Sequence, residues 1–242
     1  NIPVTVISTG IKKRIERNYL HHEAKNITVI CNGTRIPRKP FENSQDLLDL
    51  RSAYHINENV KLVVAIGSIC ERKNQIQIVR AFASGLIKTP CHLFLCGTDY
   101  TNGEIQKLID RSGLKSNISI LGFVPQKLIS VILDQVDLNI VASKDEGFGL
   151  SIIEAFSHGV PSVAFSDLDA IPDLFSNNSM VKVDGRSDQD LALAIEKALN
   201  GCWDSVEIKE HSKKFDLEKM SKTYIAHYYN VLQNHRSNHS KA

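Results

Sequence analysis

From residue 60 onward, short apolar runs alternate with stretches whose apolar positions recur at helical spacing. The apolar runs, bounded by turn formers, read as buried strands at Lys61–Ile66, His92–Cys96, Ile118–Leu121, Asp137–Ala142, Pro161–Phe165 and Met180–Val183. Helical spacing follows them at about Gln75–Leu86, Gly103–Ser112, Pro125–Leu133, Gly149–His158, Ala170–Phe175 and Asp188–Leu199. Strands apolar on both faces, each followed by an amphipathic helix, predict a parallel α/β sheet covered on both sides. The pattern fits a doubly wound, Rossmann-like sheet in which the first and fourth strands meet at the switch point. The loop after Ile66 should then lie beside the loop after Ala142, both opening at the carboxyl edge.

Both ends of the chain depart from this rhythm. Residues 4–8 and 27–31 read as strands, and between them Ile11–Leu20 has helical spacing and carries Lys12, Lys13, Arg14 and Arg17. A basic helix is most simply a solvated face; contact with phosphate or a membrane surface is the alternative. The predicted organisation is a short unit over 1–33, a polar, proline-bearing linker over 34–59, the Rossmann-like domain over 60–216, and a helix and tail over 217–242. The last helix places Met220, Tyr224, Tyr228 and Val231 along one side.

A formal charge of +2 over 242 residues gives no reason to expect a nucleic-acid partner. No apolar run reaches the about 18 residues of a membrane span, and Asn1–Ile7 lacks the charged start of a signal peptide. The five cysteines are scattered, without a Cys-x-x-Cys pair, as expected of reduced thiols in the cytoplasm. The nine histidines show no zinc spacing. Asp167-Leu-Asp169 and Asp188-Gln-Asp190 resemble Asp-x-Asp metal motifs, but each offers few ligands for a hard cation, so no metal is expected.

The richest chemistry lies in Lys144–Gly159. Gly147 and Gly149 let main chain approach a ligand, and the helix that starts near Gly149 offers free N–H groups and partial positive charge. That pairing suits a diphosphate. Glu154, inside the helix, can only accept hydrogen bonds, so it suits vicinal hydroxyls such as those of a ribose. The plainer reading makes Glu146 an ordinary acid near a helix start and Glu154 a solvated carboxylate. Across the switch point, Gly67-Ser-Ile-Cys-Glu-Arg-Lys73 would bring Arg72 and Lys73 towards the same diphosphate; as a plainer alternative they are surface charges.

Glu146-Gly-Phe-Gly-Leu150, Glu154-Ala-Phe156 and His158-Gly-Val-Pro161 together resemble the signature of retaining glycosyltransferases of family 4, often called group 1. The resemblance implies a GT-B fold of two Rossmann-like domains, with this chain supplying the second, donor-binding one. It implies that Lys73 and Glu146 serve catalysis, and that Gly67, Arg72, Lys73, Gly97, Phe123, Val124, Glu146, Gly147, Phe148, Gly149, Leu150, Ser151 and Glu154 bind a nucleotide sugar. Within that set the turn Gly122-Phe-Val-Pro125 would meet the base, Glu146 the donor sugar and Glu154 the ribose. Ser68 stands where many members carry arginine, so Arg72 is the candidate substitute.

The same resemblance implies no cofactor. The donor would be UDP- or GDP-linked, and the acceptor a glycan, a lipid-linked molecule or another class, bound by a first domain of which residues 1–33 are a remnant. It points to polysaccharide biosynthesis in the cytoplasm, with peripheral contact at the inner face of the membrane as an open alternative. Unpaired strand edges in the remnant favour a homodimer. The rival readings are a sugar-nucleotide 2-epimerase of the same fold and a nucleotide-sugar-binding module without chemistry. The chain, as a piece of a larger enzyme, is expected to be inactive on its own.

Overall fold

The computed structural model describes residues 3–18, 26–36 and 48–239. A small unit comes first: β1 (Val4–Val6), α1 (Thr9–Asn18) and β2 (Ile27–Val29), with the strands paired in parallel as a separate two-stranded sheet. These strands are shorter than the alternation predicts. The helix starts two residues earlier than expected because Asp173, far along the chain, caps it: its carboxylate accepts from Thr9 N (2.7 Å) and Thr9 Oγ1 (2.5 Å). The predicted end of that helix, at residues 19 and 20, lies outside the described residues.

The segment read as a linker is partly structured. Residues 37–47 lie outside the described residues, but α2 (Leu50–Tyr54) is a helix capped by Asp49, whose carboxylate accepts from Arg51 N and Ser52 N. Gln135 fixes its start, accepting from Leu50 N at 2.9 Å and donating to Leu48 O at 2.8 Å. Leu50 is fully buried against the sheet. So short a helix is stable through such tertiary contacts, not through its own propensity.

The main body contains β3 (Lys61–Ile66), α3 (Gln75–Ala83), β4 (Cys91–Cys96), α4 (Glu104–Arg111), β5 (Ile118–Gly122), α5 (Gln126–Leu133), β6 (Leu138–Val141), α6 (Leu150–Ser157), β7 (Ser162–Phe165), α7 (Ile171–Leu174), β8 (Met180–Val183) and α8 (Asp188–Leu199). The sheet is parallel in the order β5-β4-β3-β6-β7-β8, so the first and fourth of its strands are neighbours, as predicted. Alternate residues serve opposite faces: Val63 and Ala65 enter one apolar layer, Leu62 and Val64 the other. Asp137 pins the start of the switch-point strand, accepting from Leu62 N (2.8 Å) and Lys61 Nζ (2.9 Å).

Beyond α8, a helix that the periodicity does not reveal, α9 (Ser205–Ser212), begins at the cap Asp204 and packs on α6. A 3₁₀ turn, Lys213–Phe215, follows. Thr34 then ties the two ends of the chain together, donating its N–H to Phe215 O (2.9 Å) and accepting from Leu217 N (3.0 Å). The last helix, α10 (Leu217–His239), leaves Ile225, Tyr228, Tyr229 and Leu232 exposed. No helix among the described residues is long and apolar enough to cross a membrane.

Candidate functional site

The parallel sheet sends the loops after β3, β4, β5 and β6 to one carboxyl edge, and main-chain contacts tie the first three together. Gly67 N donates to Cys96 O and Gly97 N to Gly122 O, both at 2.8 Å. A Cβ on Gly97 would lie 2.1 Å from Gly67 O, so only glycine allows this approach. Gln75 closes the loop after β3 from below, donating to Gly67 O (3.2 Å) and Ser68 O (3.0 Å).

Across the switch point the loops after β3 and β6 are joined directly. Lys144 N donates to Arg72 O at 2.8 Å, Asn74 Nδ2 to Ala142 O at 3.3 Å, and Lys144 Nζ reaches Glu71 Oε1 at 2.9 Å. At the centre, Lys73 Nζ donates to Glu146 Oε2, which also accepts from Ser143 Oγ at 3.2 Å. Arg72 Nη1 lies 3.6 Å from the same oxygen and donates to Asp145 O at 3.1 Å. Arg72, Lys73 and Glu146 therefore form one cluster, with Lys73 and Glu146 mostly shielded from water.

Gly149 precedes α6 at φ 82°, a conformation that favours glycine, and the helix N-terminus it starts opens beside this cluster. The other predicted site residues fall into different settings. Phe148 is buried, edge-on to Phe215 at 6.0 Å, so its side chain serves the core. Ser151 is also buried, with its carbonyl accepting from Asn139 Nδ2 at 3.4 Å. Leu150 is exposed, as is Phe123 in the turn after β5; Val124 is half-buried against the core.

Glu154 lies on α6 and accepts from Gln126 Nε2 at 3.1 Å, which places it beside the turn that holds Phe123. Burial pushes its carboxyl above the usual carboxylate range, opposed by that hydrogen bond and by the charge of His158. His158 itself contacts Asp134 Oδ1 at 2.7 Å, a helix-end contact.

The Asp-x-Asp segments are occupied by structural contacts. Asp167 accepts from Nε (3.0 Å) and Nη2 (2.6 Å) of Arg186, and Asp190 completes a capping box with Ser187. Among the described residues no group of three or more His, Cys, Asp or Glu is placed to hold a metal ion.

Two arginines outside the predicted set of site residues also hold the Glu146 loop. Arg186 Nη1 donates to Ser143 O at 2.8 Å, and Arg14 ion-pairs with Asp145 at 3.3 Å. No local pattern marks them, because their partners lie more than 40 and 130 residues away in sequence.

A family model described as "Glycosyl transferases group 1" matches residues 48–215. Among curated relatives, the chain is 24% identical over 199 residues to the N-acetyl-alpha-D-glucosaminyl L-malate synthase of Bacillus anthracis, covering 80% of this chain and 51% of that protein. Among solved structures, a glycosyltransferase from Rickettsia africae superposes with a TM-score of 0.83 at 19% identity, covering 96% of this chain and 64% of that one. Anabaena Alr3699/HepE, solved in complex with UDP and glucose, superposes at 0.79 with 20% identity, covering 94% and 63%. The chain spans about half the length of the curated relative.

Proposed function

This chain belongs to the group 1 glycosyl transferases, and from that premise we propose that it is the donor-binding part of a retaining enzyme that moves a sugar from a UDP- or GDP-linked donor to an acceptor. The observation that carries this reading is the Lys73–Glu146 contact at the switch point, set beside the glycine-opened N-terminus of α6. A donor diphosphate has use for both features: a cation and a row of free N–H groups. Arg72, already within 3.6 Å of Glu146, supplies a second cation where Ser68 cannot. Glu146 then accepts hydroxyls of the donor sugar, and Glu154 those of the ribose, with Phe123 and Val124 beside the base.

The chemistry follows from the charge that develops. As the C1–oxygen bond to the diphosphate breaks, negative charge accumulates on the leaving oxygen. Lys73 and the helix terminus stabilise that charge more than they stabilise the bound donor. The acceptor hydroxyl forms its new C1–oxygen bond on the face the diphosphate leaves, and its proton passes to a diphosphate oxygen. Holding acceptor and donor at reacting distance can supply about 7–11 kcal/mol of the barrier. Besides the six-stranded sheet, the described residues form only the two-stranded β1–β2 sheet. The isolated chain should therefore bind a nucleotide or nucleotide sugar without transferring sugar.

Glu154→Ala tests the donor reading. Losing charge-assisted bonds to the ribose should cost about 1.5–3 kcal/mol, a loss of roughly tenfold or more in affinity for UDP or GDP. Calorimetric titration of folded parent and variant measures it. Equal affinity would remove Glu154 from the site.

A further inference from the structure

The geometry points to Arg14 of α1, outside the donor loops themselves, as the residue that positions Glu146 for the donor sugar. This inference rests on the donor-site reading given above. Three observations converge on it.

First, α1 is fixed against the main body before Arg14 is reached. Asp173 caps its first residue through both Thr9 N and Thr9 Oγ1. Gly10 N donates to Asp169 O at 3.1 Å, and a Cβ on Gly10 would lie 2.2 Å from that oxygen. The helix therefore meets the loop after β7 main chain to main chain, and Arg14 lies one turn further on.

Second, the Arg14 guanidinium joins two carboxylates. Nη2 lies 2.9 Å from Asp169 Oδ2, an ion pair rather than an aligned hydrogen bond, and Nη1 donates to Asp145 Oδ1 at 3.3 Å. Asp169 is largely buried, and burial raises its pKa, while Arg14 opposes that rise and Asp145 adds to it. Two acids that repel each other are thus held together by one cation. Asp145 immediately precedes Glu146, and its carbonyl is held from the other side by Arg72.

Third, the same N-terminal segment covers the next residue of the loop. A Cβ on Gly147 would sit 3.4 Å from Ile11 Cδ1 and 3.5 Å from Ile7 Cδ1. Asp145 is paired with Arg14 and Gly147 faces Ile7 and Ile11, while Glu146, between them in sequence, meets Lys73. Arg14 touches neither reacting atoms nor donor; it acts through Asp145.

A residue that only stabilises the fold would affect nucleotide and nucleotide-sugar binding alike. One that aims Glu146 should affect the sugar selectively, because the nucleotide is held by other groups. Arg14 and Asp145 are about half exposed, so the effect should be modest.

The experiment titrates the whole chain with UDP, UDP-glucose, GDP and GDP-mannose, using parent, Arg14→Lys, Arg14→Gln, Asp145→Asn and the Arg14→Gln/Asp145→Asn double variant. Arg14→Gln should weaken the preferred nucleotide sugar about fivefold while its nucleoside diphosphate changes less than about twofold. Arg14→Lys should restore most of the loss. The double variant should be no weaker than Arg14→Gln, since both changes remove the same contact. If Arg14→Gln does not fold, Asp145→Asn, which keeps the pair with Asp169, makes the same sugar-selective prediction. Equal loss for sugar nucleotide and diphosphate, or no loss in either, overturns the inference while leaving the donor site standing. A parent that binds none of the four ligands overturns the donor-site reading and this inference with it.

Discussion

Exchanging Lys73 for methionine would separate the structural from the chemical duty of the Lys73–Glu146 pair. Methionine keeps much of the aliphatic stem that lies beside Gly67, where a Cβ would be 3.4 Å from Lys73 Cε. It removes the ammonium and leaves Glu146, only 14% exposed, with Ser143 Oγ at 3.2 Å and Arg72 at 3.6 Å. Removing one partner of a fully buried pair costs about 3–5 kcal/mol. Here Lys73 and Glu146 keep 18% and 14% exposure and Arg72 remains nearby, so the cost should be smaller. About 2 kcal/mol is a reasonable size, equivalent to a fall of roughly 4–8 °C in Tm for a domain of this length.

Glu146→Gln should also destabilise, by leaving Lys73 with an amide in place of a carboxylate. The Lys73→Met/Glu146→Gln double variant has neither stranded charge, so its destabilisation should fall short of the summed single losses by about 1–2 kcal/mol. Urea denaturation of the four proteins measures this cycle, and nucleotide-sugar titration of the same samples measures the chemistry. Stability should return in the double variant and donor binding should not. Strictly additive destabilisation, or full donor affinity in Lys73→Met, would refute the assignment of one pair to both duties.

On the proposed donor reading, the pH dependence of nucleotide binding should report on Glu154. Its carboxyl is raised, chiefly by burial, and only the ionised form accepts both ribose hydroxyls, so affinity should be complete well above the raised value and fall as pH drops through it. That fall should begin above the ordinary carboxylate range and vanish in Glu154→Gln; a profile unchanged by the substitution would show that another group titrates. Gly97→Ala should destabilise by about 1–3 kcal/mol and weaken nucleotide binding, because the new methyl meets main chain, 2.1 Å from Gly67 O, and not a side chain that can turn away. Thermal unfolding checks it, and a parental Tm would mean that the two loops separate at little cost.

The sheet and the meeting of Lys73 with Glu146 at the candidate site were legible because local signals and topology agree. Apolar runs mark the strands, and the doubly wound order brings Lys73 and Glu146 together across 73 residues of sequence. The missed elements depend on distant partners. α2 is held by Gln135, 85 residues from Leu50, and reads as polar linker without it. α9 buries few side chains, Ile208 and Ser212, so its apolar periodicity is faint. Phe148 and Ser151 sit in the signature stretch, yet their side chains point inward, which a motif cannot convey. Arg14 reads as one of several cations on a basic helix, and only the fold selects it.

The stitched loops at the carboxyl edge bear on how such a site can be altered. The links from Gly67 to Cys96, Gly97 to Gly122 and Ile69 to Thr98 are made by main-chain atoms, and Gln75 braces the carbonyls of Gly67 and Ser68. The side chains of Ser68, Thr98 and Phe123 stand exposed on that frame and take no part in holding it. Residue exchange there can reshape the surface that the proposed donor would meet without disturbing the backbone that presents it. A combinatorial library confined to those positions would keep its fold while its ligand preference drifts, whereas one that varied Gly67 or Gly97 would lose both at once.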